Sequence, residues 1–573
     1  MGRAFVKEER RTKDRGRRQA ERREAPARHG ADGSASCPGT VAHVVAHPAD
    51  VLSVGGVDVL RPVSAPARPS ALICFAPGDA AARTALLDTL GKGGAWTRHA
   101  ERLPGGTSLE IHTLSSAPYV EVCFADAAQW LGPGAQRELT GCAVELLERF
   151  SPAMLRTLDP DPEHTGWDGE TASYADHPEH TAVAQAVLEA VRLRADRPDA
   201  SALVVECFRA AAPCDASAPQ PAVPRYPGGR IWLTRGADDR LTVYAALGGG
   251  IVRWTEDRPG GPDWTEQRLL STPPLLPVLA VAQSPEGWVH LVSLRRTPDA
   301  SAGGAEVEVM HAVQYQTGRP VAPWRSLGNP NGGHRTKGRE VGVPAVVVDG
   351  NGCPHIFARN FGRGVSSRSQ RADGSWGPWT DRQGTGVNDG LAAVLDERGR
   401  PELFAPTDEG VIRWYQGSGK GGLVRSPDLL PLRAARGSAL AARRTGSGIT
   451  VYGSDAGDGA LLALRTDGTS TRIGDAAGHG VTLAQASVDG YDCTVLLRRA
   501  PEGETAIAAY PTDDENPLLW WERTGGPGVR GPAAAIDAYG RLVVASLDPD
   551  GRLRVARQDT TAEGLLLGAW ATA

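Results

Sequence analysis

From about Pro224 to the C-terminus the chain repeats one loose unit, and that repetition limits the folds open to it. Each unit reads as an apolar strand, a turn built on Asp and Gly, two further strands and often a Trp-containing fourth. GGRIWLTRGADDRLTVYAALGGGIVRWTE, VPAVVVDGNGCPHIFARNF with GSWGPWTDRQG, LAAVLDERGRPELFAPTDEGVIRWYQ and PAAAIDAYGRLVVASLDPDGRLRVARQ are examples. The period is about 50 residues, which gives about seven units, as four-stranded propeller blades require. No blade buries both its faces alone, so neighbours must stack around an axis. A pair of β-sandwiches is the rival, and the persistence of the repeat disfavours it.

Tryptophans recur in the units at Trp254, Trp264, Trp324, Trp376, Trp379, Trp414 and Trp521. A Trp repeated in each blade reads as a packing wedge; the sharper alternative is a sugar-stacking ring. The stretches DGRLRV and SWGPWTDRQG resemble the fucose-lectin-type propellers of bacteria and fungi, a likeness that does not by itself establish sugar binding.

Ahead of the repeat the pattern changes. VAHVVAH, SALICFAP, SLEIHTL, YVEVCFA and SALVVECF read as strands, separated by the helical patterns AARTALLDTLG, QRELTGCAVELLERF and HTAVAQAVLEAVRLRA. Alternating strands and helices predict an α/β domain over 41–209 with a mainly parallel, Rossmann-like sheet. Residues 210–224 are a Pro/Ala-rich linker, and 225–573 are the propeller. Residues 1–40 form a basic arm expected to be disordered, because Met1 to Gly30 holds eleven Lys/Arg against five Asp/Glu and little apolar surface. The formal net charge of −5 gives no case for a nucleic-acid partner. No apolar h-region follows the arm and no apolar run reaches membrane-spanning length, so as written the expectation is a soluble cytoplasmic chain, secreted only if the start is misassigned. None of the eight cysteines forms a CxxC pair; they read as small buried hydrophobes.

Chemistry concentrates at two histidine motifs. The first strand ends in Ala46-His47-Pro48-Ala49-Asp50, followed by Gly55-Gly56; a His and an Asp at i and i+3 converge in a tight turn. Far downstream, Asp176-His177-Pro178-Glu179-His180 opens a helix, with Pro178 suited to its first turn. Two imidazoles and a carboxylate make a three-ligand catalytic zinc set with a fourth position open. A worn phosphate-loop pattern at Pro77–Thr84 lacks the glycines and Lys such a cradle needs. The other histidines form no spaced set, although His164 falls on a loop expected near the site.

At these residues the first domain resembles the PIG-L family of zinc-dependent N-deacetylases, which take acetyl from N-acetylglucosamine-type sugars. The family's AHPDD is matched by Ala46–Asp50 and its HPDH by His177–His180. A strand ending in Gly-Asp with a following Arg is matched by Gly78, Asp79 and Arg83, and a later strand-end Asp by Asp126. The resemblance implies zinc held by His47, Asp50 and His180, with His177 and Asp126 as catalytic groups. It departs from the family at Ala49, where the general-base Asp should stand, and Glu179 is the nearest substitute. The implied function is a zinc-dependent N-deacetylase acting on an N-acetylated sugar or glycan. The alternative is a non-catalytic glycan- or protein-binding protein that works through its propeller.

Overall fold

The computed structural model describes residues 39–573 apart from 56–67, 133, 196, 198–202, 210–222, 228–230, 298–305, 333, 335, 418–421, 447, 476–479, 513, 515, 516 and 518. The basic arm up to residue 38 and most of the Pro/Ala linker lie outside the described residues.

The first layer is built from β1 (Val41–Val45), β2 (Ser70–Cys74), β3 (Trp96–Arg102), β4 (Ser108–Leu114), β5 (Ala117–Ala125), β6 (Met154–Thr157), β9 (Val204–Arg209) and the short β10 (Val223–Pro224). They form one sheet of eight strands in the order β10-β9-β6-β1-β2-β5-β4-β3. β7 (His164–Trp167) and β8 (Ala172–Tyr174) form a separate hairpin. The helices are α1 (Ala80–Gly91), α2 (Gln136–Phe150) and α3 (Pro178–Ala195).

Strands β9, β6, β1, β2 and β5 are parallel. β4 and β3 run antiparallel at one edge and β10 at the other. The expected parallel pairing holds over the five central strands, while the antiparallel edges make the whole a mixed sheet with three helices rather than a Rossmann-like one. The physical reason is the short connections: β4 and β5 are joined by a tight turn, which permits only antiparallel pairing.

Side-chain alternation sends Ala42 and Val44 of β1, and Ala46 just after it, into the core under α2 and α3, and Val45 into the cluster under α1. From β1 the chain builds outward to β2 and β5, then returns to β6 on β1's other side. The carboxyl end of β1 is thus a topological switch point, where open α/β sheets leave a crevice.

The rest of the chain is a ring of seven four-stranded blades: 231–269, 280–326, 345–381, 392–425, 441–474, 482–524 and 533–572. Every blade pairs its strands antiparallel in chain order, the first strand innermost. The ring closes by packing of the inner strand of blade 7 (Ala533–Ile536) on that of blade 1 (Ile231–Arg235). Leu233, Val243, Val543 and Val555 join in one apolar cluster across that seam. The Asp–Gly turns are visible in blades 3, 4 and 7. Asp349, Asp396 and Asp537 each accept two backbone N–H groups from residues two and four further on. Gly352, Gly399 and Gly540 then supply the positive φ that the same turn needs.

The tryptophans are wedges between blades. Trp254 and Trp414 are fully buried. The indole N–H of Trp379 donates to Leu327 O at 2.7 Å, that of Trp414 to Arg382 O at 2.8 Å and that of Trp521 to Ile473 O at 3.1 Å, each reaching back toward the preceding blade. Small and branched residues of the inner strands, among them Ala280, Ala345, Ala392, Ala441 and Ala533, line a central channel of about 400 Å³.

Sheet and ring share a core. Met154, Val204 and Val41 pack with blades 1 and 7, and the cluster under α2 and α3 continues into Val292 and Ile356. A buried ionic network ties them further. Arg225 pairs with Asp159 at 3.0 Å and Asp389 at 2.8 Å; Arg209 pairs with Glu163 at 2.6 Å; Arg359 pairs with Glu340 at 2.7 Å and Glu163 at 3.2 Å. Among the described residues no helix is long and apolar enough to cross a membrane.

Candidate functional site

Both histidine motifs fold onto the carboxyl end of β1. After Ala46 the chain enters a one-turn 3-10 helix, Pro48–Leu52. The His47 N–H donates to Asp50 Oδ2 at 2.8 Å while the Asp50 N–H donates back to the His47 carbonyl at 3.0 Å. This reciprocal turn fixes both side chains on one side of the strand end. The second motif is fixed by the start of α3. Asp176 Oδ1 accepts the His177 N–H at 2.8 Å and lies 2.5 Å from His180 Nδ1. The Glu179 N–H points to His177 Nδ1 at 3.4 Å.

The two halves then meet. His180 Nε2 lies 3.1 Å from Asp50 Oδ2, and His47 Nε2 lies 2.7 Å from Glu179 Oε2. The ring of His47 stands 5.7 Å from that of His180 and 6.3 Å from that of His177. The structure therefore brings together His47, Asp50, His177 and His180, and adds Glu179 and Asp176. His47, His177 and Glu179 each offer a donor atom within 4.8 Å of the other two. Three donors thus converge, from His47, His177 and Glu179, while Asp50 and His180 pair with each other beside them.

The converging set, two imidazoles and a carboxylate, is of the donor type that zinc takes. Bonds of about 2.0–2.2 Å from N and O ligands set tetrahedral donors a little over 3 Å apart. The Asp50–His180 and His47–Glu179 pairs already sit at 3.1 and 2.7 Å. Asp176 holds Nδ1 of His180, which aims Nε2 at the centre, the outer carboxylate arrangement that metal-binding histidines use. Burial alone would lower the His180 pKa, but the hydrogen bonds and charges of Asp176 and Asp50 outweigh it and push it up to about 10. A metal that took His180 as a ligand would bind its neutral form and so compete with protons.

The remaining motif residues are near but differently engaged. Gly78 has φ +66°, and a Cβ there would touch Pro48 at 3.7 Å, so the end of β2 lies against the first motif. Asp79 caps α1 by accepting the Ala82 N–H at 2.7 Å. Arg83 faces Glu110 at 3.6 Å. Asp126 is exposed just after β5, and among the described residues no side-chain hydrogen bond or ion pair joins it to the histidines. Ala49 is exposed beside its motif partners, with no acidic atom of its own to offer.

The sequence signal for the cluster's surroundings was thin. Asp159, at the end of β6, is pushed up to about 6 by burial, only partly offset by Arg225 and Arg209 and reinforced by Asp176 and Glu163. The interdomain ionic network therefore reaches the residue that orients His180. His164 belongs to the hairpin that leads into the second motif. Its Nδ1 lies 2.6 Å from Glu340, and its ring stacks on Phe361 at 4.0 Å. His290 and His311, unspaced in sequence, face each other across blade 2 at 3.1 Å.

Fold and site together define a seven-bladed propeller that carries a mixed α/β sheet with a histidine–carboxylate patch at its switch point. No protein-family model matches the chain, and no curated protein matches it. Solved structures align with it at low identity. The BP39L lectin from Burkholderia pseudomallei is 14% identical, with a TM-score of 0.44 over 60% of this chain and 100% of that one. A protein of Bacteroides uniformis provisionally assigned as a 6-phosphogluconolactonase is 17% identical, with a TM-score of 0.38 over 56% of this chain and 92% of that one. The Aleuria aurantia lectin, in complex with Fucα1-6GlcNAc, is 12% identical, with a TM-score of 0.32 over 51% of this chain and 95% of that one.

Proposed function

We propose that this chain is a carbohydrate-directed protein whose α/β unit removes an N-acyl group, acetyl above all, from an amino sugar with the help of zinc. The observation that carries the reading is the meeting of two sequence-distant motifs: His47 with Glu179 at 2.7 Å and Asp50 with His180 at 3.1 Å. Zinc bound there would polarise the amide carbonyl and acidify water. His47, Asp50 and His180 are the holders that the family resemblance favours. Glu179, the carboxylate that lies between His47 and His177, takes the proton of the attacking water in place of the missing base at Ala49. His177, with its side chain largely exposed, hydrogen-bonds the developing oxyanion and returns a proton to the nitrogen. The C–N bond breaks, and acetate and the free amine leave.

The test is acetate release from N-acetylglucosamine glycans by the zinc-loaded wild type and by Ala49→Asp. Turnover in the wild type, raised in Ala49→Asp, supports the reading. Two inert proteins contradict it.

A second reading, glycan binding without catalysis, is favoured by Ala49, since a methyl group accepts no proton. Trp288 and Tyr315 offer an exposed edge-to-face pair on blade 2, with ring centres 5.1 Å apart, as a stacking surface. Retention on a glycan column by a protein inert in both forms would establish it.

A further inference from the structure

The hairpin β7–β8 leads directly into the second histidine motif, and it leans on two loops of the propeller, the one holding His334 to Arg339 and the one holding Phe361. Trp167 meets Phe361 at 5.3 Å and His334 at 5.6 Å, both edge to face. Into this aromatic corner the propeller sends two cations. The Lys337 ammonium lies 5.3 Å from the centre of the Trp167 ring and 5.7 Å from that of Phe361. The Arg339 guanidinium lies 5.3 Å from the centre of the Tyr174 ring.

Neither cation has a carboxylate partner among the described residues, although most arginines around them do. The nearest acid in sequence, Glu340, is buried and taken by Arg359 at 2.7 Å and His164 at 2.6 Å. On the hairpin, Asp168 is turned onto its own loop, where it accepts the N–H groups of Glu170 and Thr171. Arg296, partly buried and bound to Asp161, also feels the charge of Arg339. The corner is therefore electropositive, half-buried and walled by rings.

Along the chain it adjoins the second histidine motif. Tyr174 precedes His177 by three residues, so their backbones are at most about 11 Å apart. A sugar that engages both would carry its oxyanion several bonds from the N-acyl group, so that it spans from the histidine patch to Arg339. Stacking of the sugar on Trp167 or Tyr174 and charge-assisted hydrogen bonds to the two cations would act together.

We propose that Lys337 and Arg339, with Trp167 and Tyr174, form an anion subsite that makes the preferred ligand an amino sugar bearing a phosphate or carboxylate. This rests on the carbohydrate reading above and deepens it: the propeller supplies specificity to a centre that the sheet supplies.

The test is calorimetric titration of the full chain with N-acetylglucosamine, N-acetylglucosamine 6-phosphate and N-acetylmuramic acid. It is repeated in Lys337→Gln/Arg339→Gln and in the charge-keeping Lys337→Arg/Arg339→Lys. The expected result is that at least one anionic sugar binds about tenfold tighter than the neutral one, that the Gln pair removes the difference and that the charge-keeping pair retains it. Preference for the phosphate or the carboxylate form names the anion. Equal or absent binding of the anionic sugars, or a preference that survives in the Gln pair, overturns the subsite. Zinc measured in the same samples separates the two ideas. Zinc without anion preference contradicts only the subsite, and anion preference without zinc contradicts only the hydrolase.

Discussion

Glu179 Oε2 lies 2.7 Å from Nε2 of His47, although the two residues sit at opposite ends of the α/β unit's sequence. The contact places a carboxylate on His47, in the motif where Ala49 stands in the place of an acidic residue. If Glu179 is the proton acceptor, Glu179→Gln keeps zinc and lowers acetate release by about 10²–10⁴-fold. If it is instead a ligand, the same change removes zinc with the activity. Parallel measurement of metal content and rate distinguishes the two roles.

The ionic network between sheet and ring makes a stability prediction. Asp389 is buried, and Arg359, Arg225 and Arg209 hold its carboxyl well below the usual carboxylate range against the opposing effect of burial. Asp389→Ala takes one buried carboxylate from Arg225, Arg209 and Arg359, leaves them only Asp159, Glu163 and Glu340, and should cost up to about 3–5 kcal/mol. By contrast, removing Asp239, whose pair with Arg235 is exposed, should cost about 0–1 kcal/mol. Chemical denaturation of the two variants against wild type checks the contrast.

Blade 2 should be acid-sensitive. Burial lowers His290 to about 4, against a small opposing effect of Glu286. Burial, with His290 and Arg325, lowers His311 to about 3. Both are buried and neutral in the folded ring, while the unfolded chain protonates near 6.5. Below that value the unfolded state therefore binds more protons, and stability falls as pH drops from about 6.5 toward 4, by on the order of a few kcal/mol. Melting temperatures across that window should fall less in His290→Gln/His311→Gln than in wild type.

Trp414 is wholly buried between blades 3 and 4, and its indole N–H is bonded to Arg382 O. Trp414→Ala should cost about 3–5 kcal/mol, and Trp414→Phe less, as read by denaturant midpoints.

Much of this architecture was legible because its signals are local. The Asp–Gly turns at Asp349, Asp396 and Asp537 and the recurring Trp wedges disclose the blades, and the helical periodicity of 136–150 coincides with α2. What escaped was set by pairing rather than by periodicity. β3 reads WTRHAER and is mostly exposed at a sheet edge, so it carries no apolar alternation. β6 is only four residues long, and its fully buried strand has no alternation to see. The edge direction of β4 and β3, which makes the sheet mixed, depends on turn length and not on strand composition. In the candidate site, His47, Asp50, His177 and His180 were legible as motifs. The positions of Glu179 and Asp176 depend on how α3 meets the end of β1. The cations Lys337 and Arg339 belong to a propeller loop that no motif links to the sheet.

The most direct measurement is elemental analysis of zinc in the purified full chain, beside the His47→Ala/His180→Ala double variant. The account predicts about one zinc per wild-type chain and its loss in the variant. Absence of zinc from the wild type after reconstitution at neutral pH, or zinc retained undiminished in the variant, would contradict the metal centre and leave carbohydrate binding by the propeller as the reading to pursue.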